Sequence, residues 1–201
     1  WDNEFSKTYR FYVGGEVVYP TQWVKPRLKV SFENITNHIY FDNQGLPQQH
    51  AGNIQVLAAD LQLNITTPWV NLDNSVVYQH SSSEYIPLPA LTLYNNLYYH
   101  GTWVKALDVQ IGVDMRFFTK YYAPLPNPAL GQFCVQNQEK VGNYPVMNVY
   151  ANFYVKHIRL KLFAQYQHFN ASLMNKQYYA MPGYPMAPDM FRAGAAWHFY
   201  K

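Results

Sequence analysis

An antiparallel, all-β transmembrane β-barrel is the fold class this sequence predicts, and three observations carry the prediction. Apolar and polar residues alternate with period two down most of the chain. The clearest alternating run is about twice the ~5–6 residues of an ordinary strand. The connections between runs alternate between short and long. A mean hydropathy of -0.31, with no unbroken apolar run near ~20 residues, excludes a bundle of spanning helices. It does not exclude a barrel, whose strands need only ~9–11 alternating residues each.

Taken in order, the first apolar row is Phe5, Tyr9, Phe11 and Val13, and the second is Leu28, Val30 and Phe32. Leu57, Ala59, Leu61, Leu63 and Ile65 follow, then Val70, Leu72, Val76 and Tyr78, then Leu91, Leu93, Leu97 and Tyr99. The strongest run is "ALDVQIGVDMRF", with Leu107, Val109, Ile111, Val113, Met115 and Phe117 against Ala106, Asp108, Gln110, Gly112, Asp114 and Arg116. Val149, Ala151, Phe153 and Val155 form the next row, and Leu160, Leu162, Ala164 and Tyr166 the one after it. The last is Phe191, Ala193, Ala195, Trp197 and Phe199 against Arg192, Gly194, Ala196 and His198. This makes roughly nine strands. At ~3.3 Å per residue and a tilt of ~40–45°, the Ala106–Phe117 strand rises about 25–30 Å, comparable to the ~25 Å apolar band of an outer-membrane barrel.

Turns are expected at "HGTW" (His100–Trp103), "TTPW" (Thr66–Trp69) and Lys156–Ile158, with long polar or Pro-rich segments at about Asn37–Asn53, Gln79–Pro89, Lys120–Pro145 and Asn170–Asp189. Short periplasmic turns and long extracellular loops are what barrels show. If the last strand descends, so that Lys201 is periplasmic, counting back makes the first descend too and places Trp1 outside. Complete bacterial barrels have even strand numbers. Residues 1–201 are therefore expected to be one barrel domain, incomplete at its N-terminus, forming the C-terminal portion of a larger barrel. "EVVYPTQWVK" is where a short extra strand could hide.

A net charge of +3 with scattered Lys and Arg gives no nucleic-acid partner. One cysteine, Cys134, excludes an internal disulfide framework. The seven histidines form neither a His-Glu-x-x-His motif nor a Cys-rich cluster, so no metal and no cofactor is expected. His80 and Ser82 have a spacing loosely like that of outer-membrane phospholipases, but no Asn-bearing neighbour strand accompanies them, and no catalytic residue is assigned.

The stretches "GNIQVLAADL", "VVYQHSSSE", "TKYYAPLPNPALGQFCVQN", "VGNYPVMNVYANFYVK" and "YPMAPDMFRAGAAWHFY" resemble the Bacteroidetes putative porin family over most of 34–201. The resemblance implies the C-terminal part of an outer-membrane barrel with a transport role, in the bacterial outer membrane, without catalysis. An aromatic-ended last strand also looks like the signal read by the outer-membrane assembly machinery.

In such a barrel the polar rows offer pore-lining candidates: Arg10, Lys29, Asp60, Asp108, Asp114, Arg116, Arg159, Lys161 and Arg192. Rings of charge can set selectivity, although both signs occur and most of these groups would pair across strands. Arg159, Lys161 and Arg192 could make a basic patch favouring anions. The apolar rows Leu107, Val109, Ile111, Val113, Met115 and Phe117, with Phe191, Trp197 and Phe199, would face lipid. Trp23, Trp69, Trp103, Tyr98, Tyr99, Tyr121 and Tyr122 fit interfacial girdles. The first functional expectation is a porin-like barrel passing small hydrophilic solutes, with outer-membrane lipid and the assembly machinery as partners. The alternative is a non-conducting barrel subunit or scaffold that docks other outer-membrane subunits.

Overall fold

The computed structural model describes residues 2–174 and 178–199. The rim positions expected for Trp1 and Lys201 lie outside the described residues. In chain order the strands are β1 (Tyr9–Val18), β2 (Val24–Thr36), β3 (Ile39–Phe41), β4 (Pro47–Gln49), β5 (Asn53–Thr66), β6 (Val70–Ser81), β7 (Leu91–Trp103) and β8 (Leu107–Phe118). They continue as β9 (Leu125–Asn127), β10 (Gln132–Cys134), β11 (Val146–Val155), β12 (Leu160–Gln167), β13 (Tyr179–Met181), β14 (Tyr184–Pro185) and β15 (Met190–Trp197). Nine of them form one sheet in the order β1-β2-β5-β6-β7-β8-β11-β12-β15, antiparallel at every step.

Each alternating row of the sequence falls on one strand of this sheet, except that Phe5 precedes β1 and Phe199 follows β15; sequential strands joined by tight turns pair with their neighbours at the lowest loop-closure cost. The turns at 19–23, 67–69, 104–106 and 156–159 all lie at one end. At the other end lie the connections 37–52, 82–90, 119–145 and 168–189. Two expectations need correcting. "HGTW" is not a turn: β7 runs through it, with His100 opposite Gln110 and Trp103 opposite Leu107, and the reversal falls on Val104 and Lys105, both at positive φ. "EVVYPTQWVK" hides no additional strand, since Glu16–Val18 ends β1 and Val24 opens β2.

In an antiparallel sheet, directly opposed residues project to the same side. Following the register from Val13 through Phe32, Leu57 and onward to Trp197 keeps the apolar rows together across all nine strands. The sheet therefore has one apolar and one polar face. No closed barrel is seen: β1 and β15 stand at opposite edges and both run toward the short-turn end. The two edge strands are thus parallel to each other.

The long connections are themselves structured. β3 and β4 from 37–52 join β9 and β10 from 119–145 in a separate sheet of order β4-β3-β10-β9. The Val135 N–H donates to Phe41 O at 2.8 Å, and Tyr85, from 82–90, stacks on Tyr40 at 4.2 Å between ring centroids. The segment before β1 is tied in as well, the Ser6 N–H donating to Gln49 Oε1 at 2.9 Å. These elements form a cap at the long-loop end. The fourth connection is pinned to β11 by a buried cluster. His168 Nε2 lies 2.9 Å from the Tyr144 hydroxyl, Asn170 Nδ2 donates to Pro145 O at 2.6 Å, and Asn170 Oδ1 accepts the Met147 N–H at 3.0 Å.

Candidate functional site: the two faces of the sheet

The apolar face is open. Leu61 is 46% and Ile111 41% exposed, so no second layer of the described residues covers the middle of the sheet. Leu107, Ile111, Val113, Met115 and Phe117 lie on it by register, as do Phe191 and Trp197. Phe199 lies beyond the end of β15, its ring 4.5 Å from that of Trp197. Val109 is on the same face yet 0% exposed. The register sets it between Phe153 and Gly101, and Tyr99 folds its ring over that glycine. The apolar face also holds two amides, Asn74 and Asn95, which are register partners hydrogen-bonded to each other. Pairing removes most of the cost of placing them there.

All four described tryptophans, Trp23, Trp69, Trp103 and Trp197, sit at the short-turn end and are exposed. Tyr99 belongs with them, accepting the Trp103 Nε1–H at 2.9 Å. Tyr98 does not belong to an outward belt: opposite Gly112, it projects from the polar face. Tyr121 and Tyr122 lie in the 119–145 connection at the other end.

The polar face collects Arg10, Lys29, Asp60, Asp108, Asp114, Arg116, Lys161 and Arg192. Arg159 is not among them. It sits in the 156–159 turn at φ 52, one residue before β12 begins, so the alternation of the strand does not extend to it. Nor do Lys161 and Arg192 assemble into a basic patch. Arg192 is opposite Gln165, four residues along β12 from Lys161, roughly 13 Å away at the strand rise.

Most charges on this face are answered locally. Arg10 pairs with Glu33, and Arg27 with Glu16 at 2.6 Å. Asp60 accepts from Gln62 Nε2 at 2.9 Å and from the Ser75 hydroxyl at 3.1 Å. Asp114, 9% exposed, accepts from Asn148 Nδ2 at 2.8 Å. The Arg116 guanidinium stands 5.8 Å from the Tyr94 ring centroid. Asp73, Asn96, Asp114 and Asn148 form one continuous register row across four strands, and the Tyr150 hydroxyl donates to Asn96 Oδ1 at 2.9 Å.

Toward the short-turn end the polar face of β7, β8, β11, β12 and β15 forms a groove of about 680 Å³, within the ~300–1,000 Å³ range of small-molecule sites. Two polar register rows line it, together with Val109, Phe153 and Leu162 of the row between them. His100, Gln110, Asn152 and Phe163 make one, and Asp108, Tyr154 and Lys161 the other. Asp108 and Lys161 are legible as polar-row charges in the sequence. The other five of the polar rows are not singled out there: His100 reads as part of a turn, and Phe163 breaks the alternation by putting an aromatic in a polar row.

A nine-stranded antiparallel sheet with one apolar and one polar face defines the class of this protein. The chain belongs to the family whose model is described as "Putative porin", matched over residues 1–201. No curated protein matches it.

Proposed function

We propose that this sheet is part of a transmembrane β-barrel of the bacterial outer membrane, through which small hydrophilic solutes pass. The observation that carries the reading is the open apolar face, continuous over nine strands, opposite a face that gathers Arg10, Lys29, Asp60, Asp108, Asp114, Arg116, Lys161 and Arg192. Left in water, an apolar surface of this extent would associate or aggregate; in a bilayer it meets acyl chains. Twelve residues in β8 and fourteen in β5 give rises of about 30 Å at a tilt of ~45°, enough for the hydrocarbon core. The tryptophans at the short-turn end fit an interfacial belt.

Because β1 and β15 run the same way, antiparallel closure requires an odd number of further strands between them. Lipid and the assembly machinery are then the partners, and no catalytic step enters. The test is ion current through the full-length protein in planar bilayers. Stable, stepwise conductance is the expected result, and a correctly inserted barrel that carries no current overturns the transport reading.

One observation favours a second reading. Connections 37–52, 82–90 and 119–145 are stitched into one cap by strand pairing and by the Tyr40–Tyr85 stack. A cap built this way suits a non-conducting barrel that docks other outer-membrane subunits. Opening of current on deletion of 119–145 would separate a blocked pore from a scaffold.

A further inference from the structure

We infer that the groove on the polar face near the short-turn end is a subsite for acidic sugars. The inference rests on the reading of that face as the side solutes meet, and it names the chemistry of the solute.

Phe163 is the first reason. Among the large apolar residues exposed on β5 to β12, it alone of the described ones projects from the polar face. Its ring lies over Gly194, where an added Cβ would meet Phe163 Cε1 at 2.6 Å, yet the residue remains 46% exposed. An aromatic surface held in place and left open in a polar groove is a platform for the C–H face of a pyranose ring.

Hydrogen bonding is the second. Asn152, opposite Phe163 in register, donates through Nδ2 to Gln110 Oε1 at 3.1 Å. One bond between two amides leaves further donor and acceptor positions on both, and His100 completes the row. Paired amides beside an aromatic match the vicinal hydroxyls of a sugar.

Charge is the third. Asp108 lines the groove, but its carboxylate is already held by Lys156 at 2.8 Å and by the Thr102 hydroxyl at 2.5 Å. Lys161 has no carboxylate within 4.0 Å among the described residues; its ammonium lies 5.9 Å from the Tyr154 ring centroid. The charge left for a ligand is positive, which selects a sugar bearing a carboxylate over a neutral one.

The test is calorimetric titration of the full-length protein, refolded in detergent, with three probes: digalacturonate, cellobiose and succinate. Wild-type protein binds digalacturonate about tenfold or more tightly than either of the others. Lys161→Gln removes the preference for the acidic over the neutral sugar. Phe163→Leu weakens both sugars about tenfold and leaves succinate unchanged, while Phe163→Tyr retains binding. Far-ultraviolet dichroism and heat-dependent gel mobility establish that each variant is folded. Equal or absent binding of the three probes, or indifference to both substitutions, overturns the subsite. Bilayer conductance reports separately on the porin reading: current without sugar binding sinks the subsite alone, and sugar binding without current sinks transport alone.

Discussion

Tyr150 closes over Gly112 on the polar face: a Cβ built on that glycine would stand 2.7 Å from the Tyr150 hydroxyl and 2.7 Å from the Cβ of Tyr98. The first obstacle is the end of a long side chain and can turn away, but the second is fixed to the β7 backbone. Glycine in a strand interior here marks close approach, and Gly112→Ala is expected to cost about 1–3 kcal/mol from overpacking. For Gly194→Ala the three nearest atoms all belong to the Phe163 ring, and the change should cost less. Urea midpoints of the refolded variants in lipid vesicles check the order, and equal costs would contradict it.

The Asn74–Asn95 pair separates lipid from water as the neighbour of the apolar face. If hydrocarbon covers it, Asn74→Ala leaves Asn95 unsatisfied and destabilises by about 1–3 kcal/mol, while the double alanine variant recovers part of that loss. Were the face in water, both single variants and the double would lie near zero. A double-mutant cycle on unfolding free energies reads the difference.

Trp23, Trp69, Trp103 and Trp197 should share one depth near the headgroups. Lipids brominated high on the acyl chain are expected to quench their fluorescence more strongly than lipids brominated near the chain end. Stronger quenching by the deep bromines would remove the belt.

The cap should have a bounded pH range. Burial holds Tyr40 up to about 12, helped by its hydrogen bond with Tyr85. His38 is held below its ordinary value, first by burial and then by the nearby His50. Both groups favour their neutral forms in the folded cap. The tyrosine contribution is therefore present below pH 10 and lost as pH rises from 10 toward 12, and the histidine contribution is present above pH 6.5 and lost as pH falls below it. Limited proteolysis within 37–52 across pH measures this; Tyr40→Phe should abolish the alkaline limb and spare the acidic one.

In the full-length protein, antiparallel closure would protect the β1 amides from hydrogen exchange as well as those of β5. Free exchange of the β1 amides that point away from β2 would mean that its outer edge stays unpaired.

Period-two alternation was enough to locate all nine strands of the main sheet and to sort Leu107 from Asp108 or Phe191 from Arg192, because strand geometry sends successive side chains to opposite sides whatever the partner. Sequence also displayed the short connections at 67–69 and 156–159, but it put the one after β7 on His100–Trp103 instead of 104–106 and left 19–23 open to a further strand. It could not place Arg159, since one residue decides whether a side chain belongs to a strand or its turn. Nor could it show that Lys161 stands opposite Tyr154 while Arg192 lies far up the strand: register is a property of pairing between segments. The groove around Phe163, the Tyr40–Tyr85 stack and the union of β3 with β10 bring together residues tens of positions apart. Only long-range hydrogen bonding and packing in the folded chain could decide them.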